Sequence, residues 1–275
     1  FATPATLDRL AYPPGPSPAT IPAMETDSDT LLWDGRRLAA PHAQPDKARR
    51  VREMFDRIAP TYELVNTVTS AGRDAAWRRR MVELADVRPD DILLDIACGT
   101  GDVARTFAAA DPRPVRIIGL DFSLPMLTQA VSRPIPAGSF TQGDALNLPI
   151  ADASVSIVTC AFGIRNFQDL DRGLREMVRV LKPGGRVVIL EFTVPQTPVF
   201  RQLYLFYIRR ILPLTAALIS RDRSGAYRYL PSSVVSFQGR EAIVRGLEAA
   251  GLERVSVHPL SMGIVACYVG WRPGR

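Results

Sequence analysis

Histidine and cysteine are scarce here: the 275 residues include two histidines and three cysteines. Cys98, Cys160 and Cys267 lie far apart and form no C-x-x-C pair, which excludes a disulfide framework and a cysteine zinc site. His42 and His258 alone do not make a histidine-rich centre, so no metal is expected. The first residues lack an apolar run behind a basic end, the pattern of a secretory signal. The expected compartment is the cytoplasm. Hydrophobic residues at 47% and charged residues at 23% are ordinary usage, which excludes wholesale disorder and a polytopic membrane protein.

What charge there is lies unevenly. The net charge is +6. Between Pro195 and Arg228 the chain carries Arg201, Arg209, Arg210, Arg221, Arg223 and Arg228 against Asp222 alone. A basic segment of this kind suits an anionic surface, and its location says more than the total.

Residues 1–45 are rich in Pro, Ala, Ser and Thr and lack periodicity, so they are expected to be a disordered tail, with Met24 as an alternative start. From 46 to 275 a single domain is expected, opening with a helical cap over 46–85. Val51, Met54, Phe55 and Ile58 recur at helix spacing there, and Trp77 and Met81 mark a second apolar stretch. Strand signals at 91–97, 115–121, 139–142, 154–162 and 185–192 then alternate with helix signals from Asp102, from Ser123 and over 170–181. After a helix at 240–250, ERVSVHPL and GIVACYVGW are separated by a tight SMG and read as a hairpin. The pattern predicts an α/β, Rossmann-like fold: a mostly parallel seven-stranded sheet, helices on both faces, and a C-terminal antiparallel hairpin strand.

LLDIACGTGDVA (93–104) fits a dinucleotide fingerprint in Gly99, Gly101 and Ala104, with Asp121 at the expected distance. Glycines there allow close backbone approach to a ligand beside a helix start near Asp102, although a tight turn alone is the plain alternative. Asp95 alters the reading, because a carboxylate beside the loop repels a pyrophosphate and attracts a cation. S-adenosylmethionine offers an ammonium and a sulfonium to Asp95 and an amino-acid moiety to Thr100. Asp121 ends the second strand, where it can accept from both ribose hydroxyls. Asp144 ends the third, placed to accept from the adenine amine with the Ala145 N–H nearby, and a turn cap is its alternative role.

LLDIACGTGD, GLDFS, GDALNLP and RVLKPGGRVVILEF resemble the class I S-adenosylmethionine-dependent methyltransferases. FDRIAPTYELVNTVTSAG (55–72), FGIRN (162–166) and AYRYLPSSV (226–234) look more narrowly like the ubiquinone/menaquinone biosynthesis C-methyltransferases, of the demethylmenaquinone methyltransferase type. The likeness spans about residues 50–272. It implies S-adenosyl-L-methionine as cofactor, held at Thr100, Asp121, Asp144 and Ala145. Where some members carry a serine before FGIRN, this chain has Ala161, so one hydroxyl contact is missing.

The resemblance implies C-methylation of a polyprenylated quinol, with demethylmenaquinol favoured and the ubiquinone precursor 2-polyprenyl-6-methoxy-1,4-benzoquinol as alternative. A ring carbon attacks well only once a neighbouring hydroxyl loses its proton, so the site must position the reactants and favour a phenolate. Arg165 and Asn166 follow the fourth strand, where a guanidinium can stabilise that phenolate, and Tyr62 can close over it. An ion pair of Arg165 with Asp169 or Asp171, and plain packing of Tyr62, are the structural alternatives.

In VFRQLYLFYIRRILPLTAALI the residues Phe200, Leu203, Tyr204, Tyr207, Ile208, Ile211 and Leu212 follow helix spacing, within an amphipathic insert over 195–235. Arg209 and Arg210 near the centre, each costing about 2.5–3.5 kcal/mol at mid-membrane, exclude a membrane span. An interfacial helix on the inner face of the cell membrane is expected, and a lid helix or a homodimer contact is the alternative. A nicotinamide oxidoreductase is disfavoured by Asp95 and Asp144. An RNA methyltransferase would suit the basic charge, but the N/D-P-P-aromatic motif typical of amino-methylating enzymes is replaced by AFGIRN, so no nucleic acid partner is expected. A non-enzymatic binding module is the remaining alternative.

Overall fold

Seven short apolar runs become strands in the computed structural model, which describes residues 32–220 and 225–274. They are β1 (Ile92–Ile96), β2 (Arg116–Asp121), β3 (Gly138–Gln142), β4 (Val155–Ala161), β5 (Leu181–Phe192), β6 (Glu253–Leu260) and β7 (Val265–Trp271). Their order in the sheet is β3-β2-β1-β4-β5-β7-β6. The first five run parallel, and β7 enters antiparallel between β5 and β6. The predicted hairpin therefore reverses one strand, with Ser261–Gly263 as its turn. LKPGG does not precede the fifth strand but opens it, and the register shift between Val155 and Ile157 accommodates it.

The helices are α1 (Gly35–Ala39), α2 (Lys47–Ile58), α3 (Tyr62–Thr69), α4 (Arg73–Leu84), α5 (Asp102–Ala108), α6 (Leu124–Ser132) and α7 (Leu170–Val180). There follow α8 (Pro198–Phe206), a π-helical turn (Tyr207–Ile211), α9 (Leu212–Ser220), α10 (Ala226–Ser236) and α11 (Arg240–Ala249). Caps explain several starts. Ser123 accepts from the Met126 N–H, Asp169 from the Arg172 N–H and Asp34 from the Arg37 N–H.

Because side chains alternate along a strand, successive residues of β5 feed opposite faces of the sheet. Val187 and Ile189 pack with Leu174, Met177 and Ile243 on one face. Val188 and Leu190 pack with Phe107, Met81 and Trp77 on the other. A third cluster gathers Val51, Met54, Ile58, Val65, Ala216 and Tyr229 into a cap. The expected cap over 46–85 thus divides, with α2 and α3 joining this third cluster while α4 packs on the sheet.

Two expectations need correction. The disorder expected for residues 1–45 does not hold over 32–45: Leu32 and Trp33 are buried, α1 forms at 35–39, and a short 3-10 turn follows over Pro41–Ala43. An indole shielded among Val51, Met54 and Tyr229 gives this segment an apolar anchor that its Pro/Ala-rich composition conceals. Residues 1–31, with Met24, lie outside the described residues, as do Arg221, Asp222 and Arg223.

The second concerns the amphipathic insert, whose expected single stripe splits in two. Tyr204, Ile208, Leu212 and Ala216, four apart, are buried, whereas Leu203 and Ile211 are exposed beside Val199, Phe206, Leu214 and Leu218. The π turn ends two residues before Pro213, whose missing N–H and bulky ring interrupt the α-helical ladder. Among the described residues no helix is long and apolar enough to cross a membrane.

Candidate active site

The loop after β1 is held in an unusual backbone shape. Ala97, Gly99 and Gly101 all have positive φ, at 54°, 55° and 86°. A Cβ at Gly101 would meet the Phe140 ring at 3.1 Å and Arg105 at 3.2 Å, so this glycine is required on both counts. The Gly99 N–H donates to Asp121 Oδ2 at 2.8 Å, and the Ser123 N–H donates to Oδ1 at 2.9 Å. Asp121 therefore ties the loop to the end of β2. Burial pushes its carboxyl up to about 6, against the pull of these backbone donors.

Asp95 is fully buried beneath the same loop and lines neither cavity described below. Its Oδ1 accepts from Thr159 Oγ1 at 2.8 Å, across the paired strands β1 and β4. Oδ2 has no partner. Burial pushes Asp95 up to about 7, with the Asp121 and Asp102 charges adding to the shift and Thr159 opposing it.

Two cavities flank the loop, of about 200 Å³ and about 80 Å³. Asp121, Asp144 and Ala145 line the smaller one, with Asn166. Asp144 is also a turn cap, since its Oδ1 accepts from the Leu146 N–H at 2.9 Å. Thr100, Arg165, Trp77, Phe192, Tyr204 and Tyr229 are among the walls of the larger one. Six residues line both: Phe55, Tyr62, Ala97, Gly99, Ala161 and Phe162. A reactant in one cavity would meet a reactant in the other at this shared wall.

Arg165 and Asn166 lie on a 3-10 turn (Ile164–Asn166) after β4, yet they face different cavities. Arg165 is buried and pairs with Glu191 of β5 at 2.8 Å. It also donates to the Phe162 carbonyl and stands 5.5 Å from the Phe192 ring, which stacks on Phe162 at 4.4 Å. Its ion-pair partner is thus neither Asp169, which caps α7, nor Asp171. The reason is topological, for β5 brings Glu191 alongside the end of β4. Burial works most strongly against the guanidinium charge, but Glu191 together with the Tyr229 and Tyr62 hydroxyls outweighs it, and Arg165 remains a cation. Its Nε has no partner.

Asn166 is fixed from two sides. Its Oδ1 accepts from the Tyr229 hydroxyl at 3.0 Å, and its Nδ2 donates to the Phe162 carbonyl at 3.4 Å. Tyr62, at the start of α3, packs edge-on against Phe55 with ring centroids 5.9 Å apart. It stands over the glycine loop, where a Cβ at Gly99 would lie 4.0 Å from its ring. Burial pushes its phenol up, so at neutral pH it is a hydrogen-bond donor.

Glu191 and Tyr229 were not among the sequence-predicted site residues. Glu191 had a signal in VILEF, where one acid interrupts a buried strand's apolar run and needs a partner. Tyr229 stands in AYRYLPSSV, but nothing local indicates that its hydroxyl reaches Asn166.

The profile of the ubiE/COQ5 methyltransferase family matches residues 43–272. A ubiquinone/menaquinone biosynthesis C-methyltransferase UbiE of Geotalea daltonii is 43% identical over 230 residues, covering 82% of this chain and 97% of the relative. A demethylmenaquinone methyltransferase of Thermus thermophilus is 44% identical over 223 residues, covering 80% and 100%. Among solved structures, an S-adenosylmethionine-dependent methyltransferase of Thermotoga maritima, described as a possible histamine N-methyltransferase, aligns with TM-score 0.56 at 19% identity, covering 80% of this chain and 99% of that one. The [4+2]-cyclase SpnF aligns at 0.60 and 17% identity, covering 83% and 97%. At such identity the structural matches speak for the fold alone. With its profile match, its close relatives and this sheet order together, the chain belongs to the ubiE/COQ5 methyltransferase family.

Proposed function

We propose that this chain transfers a methyl group from S-adenosylmethionine to a ring carbon of a polyprenylated quinol, demethylmenaquinol foremost. The observation that carries the reading is the pair of cavities meeting at one wall, acids around the smaller and a buried cation with aromatics around the larger. The names of the relatives support the substrate class, and the Thermus name supports the menaquinone step.

The smaller cavity and the glycine loop beside it fit a cationic adenosine cofactor. Asp95, buried beneath the loop, has an Oδ2 without a partner, and Asp121 and Asp144 on the cavity wall place negative charge that would repel a pyrophosphate. Asp121 retains lone pairs for ribose hydroxyls beyond its two backbone donors. Asp144 and Ala145 would take the adenine edge, and Thr100 and Gly101 the amino-acid end. When bound, S-adenosylmethionine supplies an electrophilic methyl carbon on a sulfonium. In the larger cavity Arg165 offers a fixed cation to a quinol oxygen, which lowers the cost of the phenolate. Tyr62 adds a neutral donor, and Asn166 holds the opposite side of the turn.

The insert extends the reading to the membrane. Tyr204, Tyr207, Ile208 and Leu212 line the larger cavity, while Val199, Leu203 and Phe206 of the same helical stretch are exposed near Arg209 and Arg210. A prenyl tail would find apolar surface both inside and outside, so we place the enzyme peripherally on the inner face of the cell membrane. A homodimer covering the stripe is the competing arrangement.

The direct test is incubation with labelled S-adenosylmethionine and either demethylmenaquinol or the methoxy-benzoquinol precursor, with products identified by mass spectrometry. Menaquinol is the expected product, and transfer to neither quinol sinks the proposal. Arg165→Ala should lower turnover at least tenfold and leave cofactor affinity within about twofold.

A further inference from the structure

Trp33 lies outside the region matched by the family profile, in a segment whose composition reads as tail, and yet it is fully buried. Its ring meets that of Tyr229 at a centroid distance of 4.2 Å, with 32° between the planes. The Tyr229 hydroxyl in turn donates to Asn166 Oδ1 at 3.0 Å. Neighbouring residues fasten the same region from the other side. His42 Nε2 bonds the Ser233 carbonyl of α10 at 2.9 Å, Lys47 Nζ donates to the Phe167 carbonyl at 2.6 Å, and Gln168 Nε2 donates to the Gln44 carbonyl at 3.1 Å. The segment from Trp33 to Lys47 thus grips both α10 and the turn that carries Arg165 and Asn166. The indole N–H has no partner, so the ring face is what this position uses.

We propose that Trp33 is a positioning residue: its ring braces Tyr229, whose hydroxyl sets the Asn166 amide and with it the turn between the two cavities. A tyrosine with two rotatable side-chain bonds holds a hydrogen bond well only when its ring is packed, and here the packing partner comes from outside the stretch that the family profile matches. The role in turnover rests on the quinol-methylation reading, whereas the bracing itself does not.

The test is a mutant cycle on the full chain. Trp33→Ala should lower kcat about tenfold with the Kd for S-adenosylmethionine within about twofold of wild type. Trp33→Phe, which keeps a ring and removes the unpaired N–H, should restore the rate. Tyr229→Phe, lacking only the hydroxyl, should reproduce the loss, and Trp33→Ala combined with Tyr229→Phe should be no slower than either alone. Multiplying losses, or an unchanged rate in Trp33→Ala, overturn the proposal. If Trp33→Ala does not fold, the comparison of Trp33→Phe with Trp33→Leu carries the same contrast between a ring and an apolar plug. Amide exchange over residues 162–168 provides a readout without turnover. It should quicken in Trp33→Ala or Trp33→Leu and return to wild type in Trp33→Phe, and this separates failure of the bracing from failure of the assigned reaction.

Discussion

Arg165 and Glu191 form a buried ion pair whose loss would cost stability and, on the proposed reaction, turnover as well. Removing one member of such a pair leaves an uncompensated charge and costs about 3–5 kcal/mol. Glu191→Gln keeps the shape and removes the charge, so the unfolding midpoint in urea should drop and turnover should fall at least tenfold with it. Retained stability and turnover would show that Arg165 does not depend on Glu191. The acids under the glycine loop act in the opposite sense. Asp95 and Asp121, pushed up to about 7 and about 6, hold protons between pH 4 and 7 that the unfolded chain has already released. The stability these two acids contribute therefore falls as pH rises through that window and levels off above it, while His42, which burial holds below its ordinary value, works in the opposite direction. Urea unfolding at pH 5 and pH 8 should show this decline in the ligand-free protein, and Asp95→Asn should flatten it. A slope of the opposite sign would contradict the burial-driven shifts.

At the scale of elements, the stretch from α8 to α9 carries two apolar rows rather than one. The inner row, Tyr204, Ile208, Leu212 and Ala216, follows the four-residue spacing of a helix packed on its own domain. The outer row includes Val199, Leu203, Phe206, Leu214 and Leu218, and Leu64 and Val68 of the neighbouring α3 are exposed as well. Leu203→Glu with Phe206→Glu should abolish co-sedimentation with phosphatidylglycerol vesicles at low salt and leave turnover on a short-chain quinol near wild type. If the wild type does not sediment and elutes as a dimer that the pair of substitutions dissociates, the row is a subunit contact instead. The sequence held the amphipathic signal but merged the rows, because periodicity counts apolar residues without knowing how many faces are covered.

For the whole molecule, Leu32 and Trp33 tie the segment before α2 to the cap, the Leu32 carbonyl accepting from Arg50 and the Trp33 ring meeting Tyr229. Of a chain starting at Leu32 and one starting at Asp46, the second should have at least tenfold lower kcat. Equal activity of the two would remove any role for residues 32–45.

The alternation of apolar strands with helices, the glycines at 99 and 101 and the acids at 95, 121 and 144 made the parallel sheet and the proposed cofactor side of the site legible from the sequence, because each depends on local spacing and on residue chemistry at strand ends. The split of Arg165 and Asn166 between two cavities, the choice of Glu191 over Asp169 or Asp171, and the reach of Trp33 to Tyr229 were decided only in the tertiary structure. Each joins residues that are distant in the chain, and such contacts follow from how β4 lies beside β5 and how the cap closes over them. A side chain's partner is set by the three-dimensional packing around it, which spacing along the chain does not encode.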